Sequence, residues 1–194
     1  MKTTGPLSLP TVEQLERELE WEQNRKRHGT ALRAVLCSVV TAAAIAVLLF
    51  TFCFSALHIF GSSMAPTIQS GSLVIAVKGH HWEPGDIAAF YSDGKILVKR
   101  VIASPGDWVD LDADGNVSIN GQALEEPYLE EPSMGSCDIE FPCQVPEGNY
   151  FLMGDNRAAS VDSRSNQVGF IAEEQMIGRV VFQVWPLKEL GMIG

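Results

Sequence analysis

Positive charge is what this sequence has least of. Fourteen Lys and Arg residues stand against 24 Asp and Glu, a formal net charge of −10, and no basic stripe gathers the few cations together. Nucleic-acid binding is driven by basic surface that displaces counterions, so nucleic acid is excluded as a partner. Cysteine is sparse too: Cys37, Cys53, Cys137 and Cys143 are the four. With no second Cys/His pair at finger spacing, a zinc site is disfavoured, and no cofactor is implied. His80 and His81 sit beside Gly79, Trp82 and Pro84 with no Asp placed to orient them, and read as surface residues. No internal repeat is visible.

Charge is absent altogether from Ala34 to Leu57, 24 residues interrupted only by Ser38, Thr41, Thr51 and Ser55. As a helix this run reaches about 36 Å, beyond a hydrocarbon core of ~30 Å. A buried core helix is the rival reading, but such helices rarely stay uncharged on every face for so long. A cleavable signal peptide is another, and its apolar region is shorter and nearer the N-terminus. Arg25, Lys26, Arg27 and Arg33 crowd the N-terminal flank, whereas His58 to Val77 carries no Lys or Arg. The positive-inside rule then predicts a cytoplasmic tail over 1–30, a transmembrane helix over 31–57 and an outer domain over 58–194 in a single-pass cell-membrane protein. The N-terminal 57 residues hold six basic and five acidic side chains, which leaves 8 − 19 = −11 for the outer domain. Within the tail, Thr11-Val12-Glu13-Gln14 resembles a capping box, and Leu15 and Leu19 give Val12 to Gln23 one apolar face. Such a short helix is marginal by itself.

The outer domain reads as mainly β. Ser72–Val77, Asp86–Tyr91, Ile96–Ile102, Trp108–Leu111, Asn149–Met153 and Gly178–Trp185 are short, β-branched or aromatic runs parted by Pro-Gly, Asp-Gly and Asn-Gly turns. A brief helical turn is expected over Ala172–Met176, and 125–146, rich in Pro and Glu, reads as an irregular excursion or flap. Cys137 and Cys143 fall in that excursion, where an oxidising compartment would let them close a small disulfide loop; two free thiols are the alternative. Asp110–Gly115 matches the opening of an EF-hand loop, but Gly121 stands where a bidentate Glu belongs. A hairpin through Asp114-Gly115 is the plainer account.

Just past the apolar run, Ile59–Ile68 reads IFGSSMAPTI. A serine there is a poor nucleophile until a base takes its proton, and an uncharged lysine can be that base. In Ile96–Ile102, alternation points Leu97, Lys99 and Val101 to one face. If that face is the core, burial penalises the ammonium and favours a neutral amine; if it is an edge, Lys99 is an ordinary exposed residue.

Four segments, Ser63–Thr67, Pro84–Ile87, Lys99–Asp107 and Gly154–Arg164, resemble in order and spacing the boxes of type I signal peptidases. The resemblance covers roughly His58 to Trp185. It implies a membrane-anchored serine endopeptidase with a barrel-type β catalytic domain that removes signal peptides from exported preproteins after small residues. Ser63 is then expected as nucleophile, Lys99 as general base, and Ser160 as the hydroxyl that holds the amine. Asp155, Arg157, Asp162 and Arg164 look like structural support. The Ser63 N–H is expected as one oxyanion donor. One branch of the family carries a serine at the position of Gly61; this chain does not, which leaves Ser62 or an amide near Gly61 as the second donor. Ile59, Met64, Ile68 and Val98 are expected to wall small substrate pockets; Ile59, Phe60, Trp82 and Trp185 are candidates to meet the membrane interface, with core packing the alternative for Trp82 and Trp185. Expected partners are preproteins, membrane lipid and the secretion machinery. Self-cleaving repressors share the Ser/Lys chemistry but carry a DNA-binding domain where this chain has an apolar span. A non-enzymatic bitopic protein with a partner-binding β ectodomain is the alternative from another class.

Overall fold

The computed structural model describes residues 11–79 and 81–193, and of 23–32 the backbone alone. The expectations for His80 and for the first ten residues of the tail therefore lie outside the described residues. Helix α1 runs from Val12 to Cys53, 42 residues without a break. At its start the Gln14 side chain accepts from the Thr11 N–H at 3.1 Å, one half of the expected capping box. Arg33–Cys53, 21 residues with a mean hydropathy of 2.5, is long and apolar enough to cross a membrane. None of that stretch is buried, unlike a soluble core helix.

The helix stops four residues short of Leu57. Phe54–His58 is strand β1, paired residue for residue with β2 (Leu73–Val77), from Phe54 opposite Val77 to His58 opposite Leu73. Lys78 makes the stop possible. Its N–H donates to the Cys53 carbonyl at 2.9 Å and its Nζ to the Thr51 carbonyl at 3.1 Å, so two terminal helix carbonyls are satisfied by the chain that follows β2.

The remaining strands are β3 (Ile87–Ser92), β4 (Lys95–Ala103), β5 (Trp108–Leu111), β6 (Val117–Ile119), β7 (Gln122–Ala123), β8 (Cys143–Gln144), β9 (Asn149–Met153), β10 (Ile171–Ala172), β11 (Met176–Trp185) and β12 (Gly191–Met192). They form one sheet in the order β1-β2-β11-β3-β4-β9-β10, with β12 beside β11, and a second in the order β7-β6-β5-β8. No ladder joins β1 to β10 among the described residues. The short turn at Glu173–Gln175 and the β5–β6 hairpin are where periodicity placed them. In the hairpin loop the Asp112 carboxylate accepts from the N–H groups of Asp114 and Asn116 and from the Asn116 side chain, so its oxygens close the turn.

Three apolar clusters fill the β domain. One joins Ile59, Met64 and Ile68 to Val74, Ile87 and Val98; a second packs Ile102, Val109 and Val145 around Phe151; a third gathers Trp82, Phe90, Tyr150 and Leu152. Trp82 is thus core and not an interface anchor, while Trp185 and Phe60 are exposed. Cys137 and Cys143 are free thiols, not the disulfide the sequence suggested. Cys143 is fixed in β8 opposite Val109, Cys137 Sγ lies 3.5 Å from the Ile139 carbonyl, and partial burial raises the Cys143 pKa.

Phe151 is fully buried and meets Phe141 and Phe170 at ring-centroid distances of 6.1 and 5.9 Å. Phe151→Ala should destabilise the β domain by about 3–5 kcal/mol, read from the urea midpoint of the detergent-solubilised chain.

Candidate functional site

The loop from β1 to β2 is pinned at its base, where Ile59 N–H donates to the Ser72 carbonyl and Gly71 N–H to that of Ile59, both at 2.8 Å. Met64 and Ile68, joined by an Ile68 N–H to Met64 carbonyl bond of 2.8 Å, plug the loop into the first apolar cluster. Ser63, just before this plug, is left only partly covered. Its N–H meets no acceptor among the described residues. Gly61 turns the chain at φ +93°, but its N–H already donates to Ser70 Oγ at 3.1 Å and so is not a free donor. Ser62 is exposed, with its carbonyl engaged by the Ala65 N–H.

The Lys99 side chain is buried and not on the surface. Strand β4 lies between β3 and β9, and every residue from Val98 to Ala103 is buried, so both faces of this stretch are covered. The amine's pKa is lowered to about 8, chiefly because burial penalises its charge. Asp162 and Asp155 pull the other way, but each is already held by a guanidinium. Arg164 donates Nε and Nη2 to Asp162, both at 2.8 Å, and Arg100 donates Nε and Nη2 to Asp155 at 2.9 and 2.7 Å. The carboxylates near the amine are therefore largely neutralised, and desolvation wins.

The loop after β9 carries the remaining expected residues. Burial pushes the Asp162 carboxyl up, but the hydrogen bonds and charge of Arg164 and the Gly154 N–H more than offset this and hold its pKa below the ordinary value. Ser160 lies near enough to Asp162 to assist, yet its buried Oγ has no aligned hydrogen-bond partner among the described residues. Gly154 is the crossing point: a Cβ there would overlap both the Ser160 hydroxyl and the Ser63 carbonyl. The same carbonyl accepts from the Asn156 N–H at 3.1 Å. No hydrogen bond joins the Ser63, Lys99 and Ser160 side chains to one another.

Ser63 and Lys99 line one cavity of about 270 Å³, with Ala56–Phe60 on one wall and Ile96–Val98 on another. Ile59, Met64 and Val98 reach it; Ile68 does not, being fully buried behind Met64. Two unpaired strand edges flank it. β1 ends its sheet, and β4 pairs with β9 only from Arg100 onward, which leaves Lys95–Lys99 without a ladder on that side among the described residues.

Four residues that pattern did not single out enter the support. Thr67 Oγ1 donates to Asp155 at 2.5 Å, Arg100 lies 3.9 Å over the Tyr128 ring, and Glu126 accepts from Tyr128 Oη at 2.7 Å and from Arg157. The Arg100 of the Lys99 box was legible as a charge beside the lysine; Glu126 and Tyr128 sit in a segment without periodicity and gave no signal.

A family model described as signal peptidase, peptidase S26, matches residues 32–185. The chain is 36% identical over 166 residues to signal peptidase I of Bacillus amyloliquefaciens, covering 79% of this chain and 85% of that one. With signal peptidase I U of Bacillus subtilis (strain 168) it shares 34% identity over 178 residues, 86% of this chain and 94% of the relative. Among solved structures, a signal peptidase I from Enterococcus faecalis V583 matches at 31% identity and a TM-score of 0.43, over 52% of this chain and 97% of that one.

The crowding at Gly154 makes a steric prediction. Gly154→Ala should cost about 1–3 kcal/mol of stability by overpacking, seen as a lower unfolding midpoint, whereas Gly191→Ala, with open space around its Cα, should be close to neutral.

Proposed function

The chain belongs to the S26 family of signal peptidases, and from that premise we propose that it is a membrane-anchored serine endopeptidase cutting signal peptides from exported preproteins, with Ser63 as nucleophile and Lys99 as general base. The observation that carries this is a buried lysine, its neighbouring carboxylates already engaged by arginines, lining the same cavity as Ser63.

In the proposed reaction Lys99 takes the proton as Ser63 Oγ attacks the scissile carbonyl. The amine then protonates the leaving nitrogen, and a water activated by the same base hydrolyses the ester. Ser160, with no aligned partner, is the proposed hydroxyl that orients the amine once it moves into reach; such contacts often tighten only with substrate bound. The unengaged Ser63 N–H suits one oxyanion donor, and Ser62 is the remaining candidate for the second, since Gly61 donates elsewhere. Asp162–Arg164 and Asp155–Arg100 hold the floor.

A substrate strand suits the two unpaired edges: an extended peptide can add hydrogen bonds to β1 or to Lys95–Lys99 while its side chains alternate into the cavity. Walls of Ile59, Met64 and Val98 favour alanine-sized groups by steric overlap with anything larger. Orientation follows from the basic flank, with the N-terminus cytoplasmic and the β domain outside. Phe60, Trp185, Leu187, Leu190 and Met192 are apolar and exposed, and are proposed to dip into the lipid interface.

Ser63→Ala and Lys99→Ala should each abolish cleavage of a labelled preprotein by the purified full chain; undiminished cutting in either refutes the dyad. A base with a pKa of about 8 is protonated as pH falls. At pH 7 only roughly a tenth of the amine is neutral, so kcat/KM should fall about tenfold per unit on the acid side, and a flat acid limb would argue against an amine base.

A further inference from the structure

We infer that Glu126 and Tyr128, in the stretch between β7 and β8, are positioning residues for the proposed dyad: they act through Arg100 and Arg157 to keep Asp155 and the Ser63 loop in register. This rests on the peptidase reading and extends it to a segment with no expected role. The segment 125–146 carries no regular structure before β8, and such a stretch is expected to move as a flap. The structure instead ties it to the Gly154–Arg164 loop at three places. Glu126 accepts both terminal nitrogens of Arg157. The Ser133 and Met134 carbonyls accept Arg164 Nη1 at 3.0 and 2.8 Å, with Gly135 at φ +59° where a Cβ would overlap the Arg157 carbonyl. Asp138 accepts the Ser165 hydroxyl at 2.6 Å, and its N–H donates to the Arg164 carbonyl at 2.9 Å.

The first tie differs in reaching the site from two sides. The Tyr128 ring covers the Arg100 guanidinium at 3.9 Å, and Arg100 holds Asp155 with two hydrogen bonds. Asp155 in turn accepts Thr67 Oγ1, four residues beyond Ser63 in the same loop. Glu126 fixes Arg157, whose Nε donates to the Gly154 carbonyl at 3.2 Å, and at Gly154 a Cβ would overlap both the Ser160 hydroxyl and the Ser63 carbonyl. The Tyr128 Oη to Glu126 bond couples the two arms. A planar guanidinium covered on one face by an aromatic ring and held along its edge by a bidentate carboxylate is fixed in position in a way a solvated one is not. Without the ring, water reaches Arg100 and weakens its hold on Asp155. Both the Ser63 loop and the charge balance at Lys99 then shift, since Asp162, Arg164 and Asp155 are the groups acting on that amine and Arg100 is its neighbour in β4.

The test compares Tyr128→Leu, Tyr128→Phe and Glu126→Gln with wild type in the full-length chain reconstituted in lipid vesicles, measuring kcat, KM, the acid limb and the unfolding midpoint. Tyr128→Leu is expected to lower kcat on the order of 10²-fold, the cost of misplacing a reacting group by about 1 Å, with KM within about twofold. Its acid limb should move to higher pH, because a loosened Asp155 favours the ammonium. Tyr128→Phe, which keeps the ring over Arg100, should recover most of the loss, and Glu126→Gln should lower kcat at unchanged KM. The inference is overturned if Tyr128→Leu keeps wild-type kcat and acid limb, or if lost activity merely tracks the unfolded fraction in both Tyr128→Leu and Glu126→Gln. Ser63→Ala, run alongside, separates the two readings: cleavage surviving there sinks the peptidase proposal, while an inactive Ser63→Ala beside a normal Tyr128→Leu sinks this inference alone.

Discussion

The buried amine of Lys99 constrains everything around it. A lysine taken out of water either finds a carboxylate or loses its proton, and here the carboxylates within electrostatic reach, Asp162 and Asp155, are each bound by an arginine. Had either been left free, an ion pair with Lys99 would favour the ammonium. The arginines thus serve the chemistry indirectly, by removing the alternatives open to the amine. Such an arrangement costs stability locally, because a buried ion pair regains its desolvation cost only when its remaining hydrogen bonds are satisfied. That accounts for the dense set of bonds from Arg100 and Arg164 to the carbonyls of Gly85, Ser133, Met134 and Arg157.

The fold supplies this environment by covering one strand on both faces. From Val98 onward β4 is enclosed, while Lys95 and Ile96 remain exposed. The proposed base stands where the strand passes from open edge to interior. That transition gives the site its two requirements together: a dry amine, and a strand edge that an extended peptide can reach. The Ser63 loop meets the same place because Met64 and Ile68 anchor it in the cluster that also holds Val98. Gly154 then brings the Ser160 segment against it.

Acidity and greasiness are separated along the chain. The β domain carries the negative excess, whereas Arg33–Cys53 is apolar and ends in a strand that opens the sheet. One short strand and the start of one loop are all that separate the candidate span from Ser63.

How much of this was legible in residues alone differs from element to element. The uncharged run at 34–57, the alternating strands and the Asp114-Gly115 hairpin are local patterns, and they pointed to the mainly β class; the candidate residues came from the resemblance of the Ser63, Lys99 and Gly154–Arg164 boxes to a known family. Phe54–His58 was not separable from the helix, because an apolar run suits either state and only pairing with β2 decides it. Trp82 and Trp185 look alike in sequence; Trp82 is core, clustered with Phe90, Tyr150 and Leu152, and Trp185 is exposed. Whether Lys99 is buried or exposed is undecidable in sequence, since alternation assigns a side chain to a face without saying what covers that face; the structure buries it. Glu126 and Tyr128 find their partners about 30 residues away, and no local periodicity encodes a contact of that range. Sequence determined which groups were present and which way each strand faced; tertiary structure alone decided which of them lost water, because desolvation depends on what the rest of the chain lays over them.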